Sequence, residues 1–254
     1  MNRDIWNRSK YQIQMNHSTK TLAQIVTEYP FSASLLERHD LDYCCKGKQT
    51  LEQSCSDASV LQKIEAELNE LLSAQESGKD SDPLKLSTSD LVNLILSKHH
   101  AYVKDALPLI QSHLHKVSSK HGLRHPELDE IYSIFNTVVE EMTSHMMKEE
   151  EILFPAILMF EKAGVIKDDS IDQSSLEMPM QVMEMEHENV GAALDEIKKL
   201  TNKYVAPQDA CMTYRLSFDE LKEFELDLHK HVHLENNILF PRVRKQLQDL
   251  KQKV

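Results

Sequence analysis

The chain has 254 residues, of which 41% are apolar and 28% charged, so it can fold as one large globular domain or as two smaller ones. Glycine is scarce, at five residues, and only 6% of the residues are aromatic, which disfavours a turn-rich all-β fold and favours long helices. The formal net charge is −12 and no basic stripe offsets it, so nucleic acid is not an expected partner.

The sequence contains no candidate membrane span. Its longest strongly apolar stretch, Ile152 to Phe160, has nine residues and includes Pro155. A span requires about 20 residues. The first residues lack the apolar core of a secretion signal, so we expect a cytoplasmic protein that does not associate with membranes. Four cysteines, two of them adjacent, do not make a disulfide-stabilised fold.

The first part of the chain is predicted to contain a small helical domain. Residues 1–18 are polar and without periodicity, which indicates a flexible tail. Residues 19–76 form the domain, and a loop within it carries the adjacent Cys44 and Cys45. Small and charged residues dominate 77–86, as is typical of a linker. The candidate helices of the domain cover 21–29, 32–39 and 57–72.

Residues 87–250 are predicted to form an antiparallel four-helix bundle, which makes the fold class all-α. Four long segments with helical apolar periodicity are separated by modest connections, the arrangement that favours such a bundle. We expect Pro155 and Pro241 to kink the ends of the second and fourth helices. The predicted helices are Ser87–Lys120, Pro126–Lys162, Ser174–Lys203 and Pro207–Gln248.

Each predicted helix has an apolar seam that is interrupted by histidine, or by histidine and glutamate. The seams follow a spacing of three and four residues and include apolar positions such as Leu96 and Ile152. A buried, unpaired carboxylate costs several kcal/mol, so polar seam residues require partners. Four histidines and two glutamates that meet at one depth would satisfy each other through a metal. These residues are His100, His145, Glu149, His187, His231 and Glu235.

An internal repeat relates the same residues. The segment His145–Pro155 matches the segment His231–Pro241 at an offset of 86 residues. His100 and His187, which stand alone on their helices, are offset by 87 residues. Each half of the bundle therefore carries one lone histidine and one His-x-x-x-Glu pair, and a pseudo-twofold arrangement would produce a near-symmetric site for two metals.

The donor set indicates the chemistry of the site. Imidazoles and carboxylates suit iron or manganese. If both glutamates bridge, each metal has two histidines and two carboxylates. An oxo or hydroxo bridge would then leave one open position on an octahedral ion. An open position permits binding or redox chemistry of O2 or NO, or a metal that can leave, whereas a structural zinc site would be closed.

For other polar residues near the seams, the sequence gives weaker evidence of a functional role. Glu141 lies one turn before His145, and Glu186 precedes His187, so either could relay protons or mark a route for metal exit. The alternative is that both are ordinary solvated carboxylates. Further histidines lie off the seams and are interpreted as surface residues or as groups supporting the ligands. They are His99, His229 and His233.

The adjacent cysteines allow several interpretations. Free cysteine is most often a small buried hydrophobe, but two adjacent ones in a turn are hard to bury together. Functional alternatives are ligation of a metal or cluster, thiol redox chemistry, or capture of an electrophile such as NO. Cys55 and Cys211 are interpreted as ordinary residues.

Two regions carry a family resemblance. The run from Asp42 to Gly47, followed by Thr50-Leu51, resembles the N-terminal domain of iron-sulfur cluster repair proteins, the Repair of Iron Centres family of ScdA/YtfE type. Both His-x-x-x-Glu segments resemble its hemerythrin-like domain, and the likeness spans about residues 19–245. Lys46 departs from the family, which often has glycine there. In that family, four histidines and two bridging glutamates hold a non-haem di-iron centre. These fall on the six seam residues.

The resemblance implies repair of iron-sulfur clusters damaged by nitrosative or oxidative stress, with damaged cluster proteins as partners. The leading hypothesis is that a labile di-iron centre donates iron, aided by Cys44 and Cys45. A second hypothesis is an enzyme that reduces NO or peroxide, with Glu141 or Glu186 passing protons. A third is a module that binds or senses O2 or NO. The small domain could contact its own bundle or that of a second chain, which would make a homodimer.

Overall fold

The computed structural model describes residues 16–74, 83–163 and 174–251. These residues form helices, turns and loops, and their only β-type pairing is a single bridge between Thr21 and Thr50. The all-α prediction is therefore confirmed. Within the described ranges, no helix is both long and apolar enough to cross a membrane. The predicted tail over 1–18 and the linker over 77–86 lie largely outside the described residues.

Two of the N-terminal helices are short and begin with a capping box. Thr21 and Thr50 each accept a hydrogen bond from the backbone N–H of a glutamine three residues later, and that glutamine accepts one in return. Such capping boxes satisfy amide groups that a helix start leaves free. The helices are α1 (Leu22–Glu28), α2 (Ala33–Arg38), α3 (Leu51–Ser54) and α4 (Ala58–Ala74). The short α3 was not predicted.

The bundle consists of four long helical rods, three of which are interrupted by a π turn. The first rod is α5 (Thr88–Leu94), a π turn (Ile95–His100) and α6 (Ala101–His121). The second rod is α7 (Glu127–Lys148), a π turn (Glu149–Leu153) and α8 (Phe154–Ala163). The third rod is α9 (Ser174–Leu200). The fourth rod is α10 (Met212–Leu234), a π turn (Glu235–Leu239) and α11 (Phe240–Lys251).

The predicted start of the fourth rod was wrong. Pro207 lies in a turn closed by a hydrogen bond from the N–H of Ala210 to its carbonyl, and α10 begins only after the extended Cys211. The guanidinium of Arg215 reaches back and donates to the carbonyl of Pro207, which stabilises this turn outside the helix.

The π turns change which residues are buried. Pro155 has no N–H to donate to the carbonyl four residues back. The N–H of Phe154 instead donates to the carbonyl of Glu149, five residues back, and the fourth rod repeats this arrangement. A π turn adds one residue and shifts the apolar face. Ile152 is consequently 61% exposed while Leu153 is buried, so the seam assignment of Ile152 was wrong. Leu96 is likewise only half-buried.

Two apolar clusters lie on either side of the polar seam residues. The larger includes Val103 to Val117 of α6 and Leu128 to Met146 of α7. The smaller includes Leu91 to Ile95 and Leu153 to Phe160. Their order along the chain reverses from one rod to the next, as an antiparallel bundle requires. The histidines and glutamates therefore occupy a single layer between the two apolar clusters.

The N-terminal helices pack against the bundle of the same chain. Their apolar side chains belong to the larger cluster. The side-chain amide of Asn237, in the third π turn, donates to the carbonyls of Tyr43 and Cys44 at 3.3 and 3.2 Å. On another side of the contact, Asp40 pairs with Lys198 and Lys203. The loop that carries the cysteines is thus held directly on the rod that carries Glu235.

Candidate metal centre

The six polar seam residues come together in the middle of the bundle. Their side chains are between 0 and 2% exposed. Their nitrogen and oxygen atoms fall into two groups, in each of which the donor atoms lie within 4.8 Å of one another. The first group is His100, His231, Glu149 and Glu235, and the second is His145, His187, Glu149 and Glu235.

Glu149 and Glu235 belong to both groups. The Nε2 atoms of His100 and His145 each lie 3.3 Å from the same oxygen of Glu149. Glu235 lies 3.2 Å from Nε2 of His187 and 3.0 Å from Nε2 of His231. Each group therefore takes one histidine from each half of the chain, and the internal repeat exchanges one group for the other. This is the pseudo-twofold relationship that the repeat predicts.

Three of the four histidines are oriented through their Nδ1 atoms. Nδ1 of His100 donates to Glu150 at 2.8 Å, and Nδ1 of His145 donates to Glu186 at 3.0 Å. Nδ1 of His187 lies 3.0 Å from the side-chain oxygen of Asn236. Because an ionised carboxylate only accepts, Nδ1 carries the proton, and Nε2 of a neutral ring is left with its lone pair facing the group.

These supporting residues also follow the internal repeat. Glu150 and Asn236 each come directly after a shared glutamate and each contact a lone histidine. Glu186 directly precedes His187, and His99 holds the equivalent place before His100. His99 does not repeat the role of Glu186. It donates to Asp227 at 3.0 Å and stacks on His231, with ring centroids 5.7 Å apart.

The arrangement fits a bound cation. Nε2 of His145 and Nε2 of His187 lie 3.0 Å apart, although both rings hold their proton at Nδ1 when neutral. Among the described residues, no hydrogen-bond partner is present for the buried Nε2 of His100 or for either oxygen of Glu149. Converging lone pairs and unpaired buried carboxylate oxygens are costly without a positive charge between them. The donor set of imidazole and carboxylate suits a non-haem iron centre.

The electrostatics of the six residues follow from the same contacts. Burial acts to raise the pKa of Glu235, but His231 and His187 outweigh it and hold this pKa well below its usual range. Burial acts to lower the pKa of His145, yet Glu149 and the other carboxylates raise it to about 9. Burial likewise acts to raise the pKa of Glu149, but His145 and His100 lower it, so the buried carboxylates and imidazoles favour each other's charged forms.

The other residues that the sequence suggested for roles near the centre differ in how far they are buried. Glu186 supports His145 and is ion-paired with Lys148. Glu141 is exposed and is not brought against the six residues. Of the two alternatives for the histidines off the seams, a surface position is excluded for His99 and His233, because both are buried. His99 stacks on His231 and so supports a candidate ligand, whereas His233 lies edge to face against the ring of Tyr43.

Glu150, Asn236 and Asp227 were missed by sequence reasoning. The repeat could have found the first two, since they hold matching places after Glu149 and Glu235. The contact of Asp227 with His99 joins residues 128 positions apart, so local spacing carried no signal for it.

The adjacent cysteines lie beside a cavity between the N-terminal helices and the bundle. The cavity has a volume of about 740 Å³, and Cys44, Cys45 and His187 are among the residues that line it. Cys44 is buried and Cys45 is half-buried. The contact with the Cys45 thiol, together with burial, raises the pKa of Cys44 well above its usual range. Cys45 lies against α9, with its sulfur 3.8 Å from the carbonyl oxygen of His187.

Comparison with known protein families agrees with both parts of the fold. Residues 92–243 match the family described as the hemerythrin HHE cation binding domain. Residues 18–72 match the ScdA_N family, described as a domain of unknown function. The first match includes all six residues of the two groups, and the second includes both cysteines of the loop.

Individual relatives cover nearly the whole chain. A protein of Haemophilus influenzae named "Probable iron-sulfur cluster repair protein" is 33% identical over 230 residues, which are 90% of this chain and 98% of that protein. Proteins of Yersinia pestis and Yersinia pseudotuberculosis named "Iron-sulfur cluster repair protein YtfE" are each 34% identical over 229 residues, with the same coverage. The chain therefore belongs to the hemerythrin-like family of iron-sulfur cluster repair proteins.

Proposed function

We propose that this protein repairs damaged iron-sulfur clusters and that it does so by donating iron held between Glu149 and Glu235. The observation that carries the proposal is that both glutamates are shared by two groups of donors in a buried layer. Two irons would each take one lone histidine and one histidine of a His-x-x-x-Glu pair. An oxo or hydroxo group between the irons belongs to this proposal. Bound iron would supply the redox chemistry of the centre, and the same iron would be the metal that is donated to a damaged cluster.

The side chains around the centre have separate tasks in this proposal. Glu150 and Glu186 accept hydrogen bonds from the Nδ1–H groups of His100 and His145, and so would keep the Nε2 lone pairs directed at the metals. Lys104 pairs with Glu150 and Lys148 with Glu186, which holds these carboxylates ionised. We propose Glu186, rather than the exposed Glu141, as the carboxylate that can pass a proton to the centre.

The names of the relatives support repair over other roles of a hemerythrin-like domain. The recipients would be damaged iron-sulfur proteins. NO, O2 and peroxide would be the small molecules that reach the centre.

The cytoplasmic location and the homodimer that the sequence suggests remain predictions. The N-terminal helices contact their own bundle, and Cys44 and Cys45 lie beside His187, where they could receive iron that leaves the second group.

The test has two stages. Metal content per chain is measured on protein purified anaerobically, in wild type and in the Glu149→Gln and Glu235→Gln variants. Glu151→Gln serves as the matched control because that side chain is exposed next to the centre. We expect about two irons in wild type and control and almost none in either variant, since each glutamate serves both groups. One retained iron in the variants would contradict shared ligation.

The second stage is reactivation of an enzyme whose [4Fe–4S] cluster has been damaged by NO or peroxide. The iron-loaded protein should restore activity faster than the same amount of free Fe(II) and should lose iron in proportion. Catalytic turnover of NO without loss of iron would favour a reductase instead. Reversible binding of O2 or NO without turnover would favour a sensor.

A further inference from the structure

We propose that Cys44, Cys45 and Asp42 form a second cation site that binds one thiophilic divalent metal through two thiolates and the carboxylate. This site is separate from the six residues of the bundle centre. The inference rests on the proposed function only for its purpose, which would be to receive iron on its way out of the bundle.

The spacing of the two sulfurs is the first argument. The sulfur atoms of Cys44 and Cys45 lie 3.7 Å apart, too far for a disulfide. Two metal–sulfur bonds of about 2.3 Å spanning this distance would enclose an angle of about 107°, close to tetrahedral. Here the loop already holds both sulfurs at the separation that one metal ion requires.

Asp42 explains how the loop achieves this. Its Oδ1 atom accepts hydrogen bonds from the backbone N–H groups of Cys44 and Cys45, at 3.0 and 2.9 Å. It also lies 3.0 Å from the sulfur of Cys44. The three residues form a group whose donor atoms all lie within 4.8 Å of one another. The carboxylate thus fixes the turn and places a negative charge at the sulfurs.

The surroundings of the thiols favour a cation over an electrophile. Cysteines that react as nucleophiles sit beside cationic groups that stabilise the thiolate. The closest partners of the Cys44 sulfur are instead a carboxylate and another thiol. A carboxylate opposes a bare thiolate but complements a metal. When the metal binds, each thiol releases one proton to solvent and the metal charge replaces them.

The position of the site in the fold suits a site that exchanges its metal. Cys44, Cys45 and Asp42 line the cavity of about 740 Å³ between the N-terminal helices and the bundle, so a fourth ligand can enter from that side. Three protein ligands and an open position make a site that exchanges its metal, unlike a closed structural site. His187 lines the same cavity and is a candidate ligand of the second group in the bundle.

Cobalt(II) is the probe, because thiolate ligation of this ion gives a charge-transfer absorption that imidazole and carboxylate ligation do not. The full chain is first loaded with iron in the bundle centre and kept reduced with a phosphine. Cobalt(II) is then titrated anaerobically while iron content is followed. We expect one equivalent to bind with a thiolate-to-cobalt band.

The variants separate ligation from folding. Cys44→Ser with Cys45→Ser should abolish the band, whereas Cys55→Ser with Cys211→Ser should leave it unchanged. Asp42→Asn is the most informative variant. The asparagine side-chain oxygen can still accept both backbone hydrogen bonds, while the negative charge is lost. We expect a loss of affinity of at least about tenfold.

Three results would overturn the site. They are the absence of a thiolate band while all four thiols titrate as reduced, a band that survives the double cysteine variant, or Asp42→Asn with wild-type affinity. These failures are distinguishable from failure of the proposed function. A cobalt site on the loop together with an iron-free bundle would refute only the di-iron proposal. Full iron content and repair activity without a cobalt site would refute only this inference.

Discussion

The thiol of Cys45 lies 3.8 Å from the backbone carbonyl oxygen of His187 and points towards it. This contact joins residues 142 positions apart and connects the cysteine loop to a rod that contributes to the candidate metal centre. The imidazole of His187 therefore faces the buried donor layer, while its backbone carbonyl faces the thiol of Cys45.

The close packing of the cysteine loop predicts opposite effects for two glycine substitutions. A Cβ on Gly47 would lie 2.3 Å from the carbonyl oxygen of Tyr43 and 2.9 Å from Cβ of Ala23, so Gly47→Ala must displace the loop. We expect it to destabilise the protein by about 1–3 kcal/mol. Urea unfolding followed by circular dichroism measures this change.

Gly191→Ala is the matched control for the loop. Its Cβ would contact the sulfur of Cys45 at an ordinary 3.6 Å, and Gly191 lies within α9. Removing a helical glycine should stabilise the protein by up to about 1 kcal/mol. Little or no destabilisation by Gly47→Ala, comparable to the effect of Gly191→Ala, would show that the loop is not packed as tightly as the structure indicates.

The hydrogen bond from His145 to Glu186 predicts an effect on metal retention. Glu186→Ala removes the acceptor that orients the ring, and we expect iron affinity to fall about 10- to 100-fold with little change in helical content. Iron remaining after dialysis against graded chelator concentrations measures the effect. Glu196→Ala, an exposed residue of the same helix, should behave as wild type. Glu186→Gln should recover part of the loss, because it can still accept from Nδ1.

The ion pairs of Asp40 predict a pH effect on stability. Burial acts to raise the pKa of this carboxyl, but Lys203 and Lys198 outweigh it and lower the pKa. A lowered folded-state pKa stabilises the fold above the unfolded-state pKa, and the contribution is lost as the pH falls through the folded-state pKa. Asp40→Asn should thus cost less than about 1 kcal/mol at neutral pH, because the pair is partly exposed.

The difference between wild type and Asp40→Asn should vanish in acid. Unfolding free energies measured from pH 7 down to pH 3 test this, with the exposed Asp105→Asn as control. Asparagine tolerates the positive φ of 55° at residue 40, so backbone strain does not complicate the comparison. A difference that grows as the pH falls would contradict the assignment.

The larger apolar cluster predicts a strong effect at Phe135. Its ring is fully buried and meets Phe224 edge to face, with centroids 5.8 Å apart. Phe135→Ala should lower the free energy of unfolding by about 3–5 kcal/mol. Leu123→Ala, at a fully exposed leucine, should change it by less than about 0.5 kcal/mol. Similar losses at both positions would mean that the core is not packed as described.

Several features of the protein were predictable from spacing alone. Helical periodicity located four rods, and the interruptions of their seams named all six residues that meet in the structure. The repeat at 86 residues predicted a twofold exchange between halves. These inferences succeeded because burial demands apolar residues at regular intervals, so a histidine or glutamate on a seam stands out. The same reasoning assigned Ile152 wrongly, since a π turn changes the interval that the pattern assumes.

The sequence by itself determined the all-α architecture, the polar layer and the identity of its residues. Only the tertiary structure decided that His100 shares a group with His231 and His145 with His187, because which rods are neighbours depends on how the bundle is assembled. It also decided the contacts of Asp227 with His99 and of Cys45 with His187. These join distant parts of the chain, and periodicity constrains only which face a residue occupies, not what the facing helix presents to it.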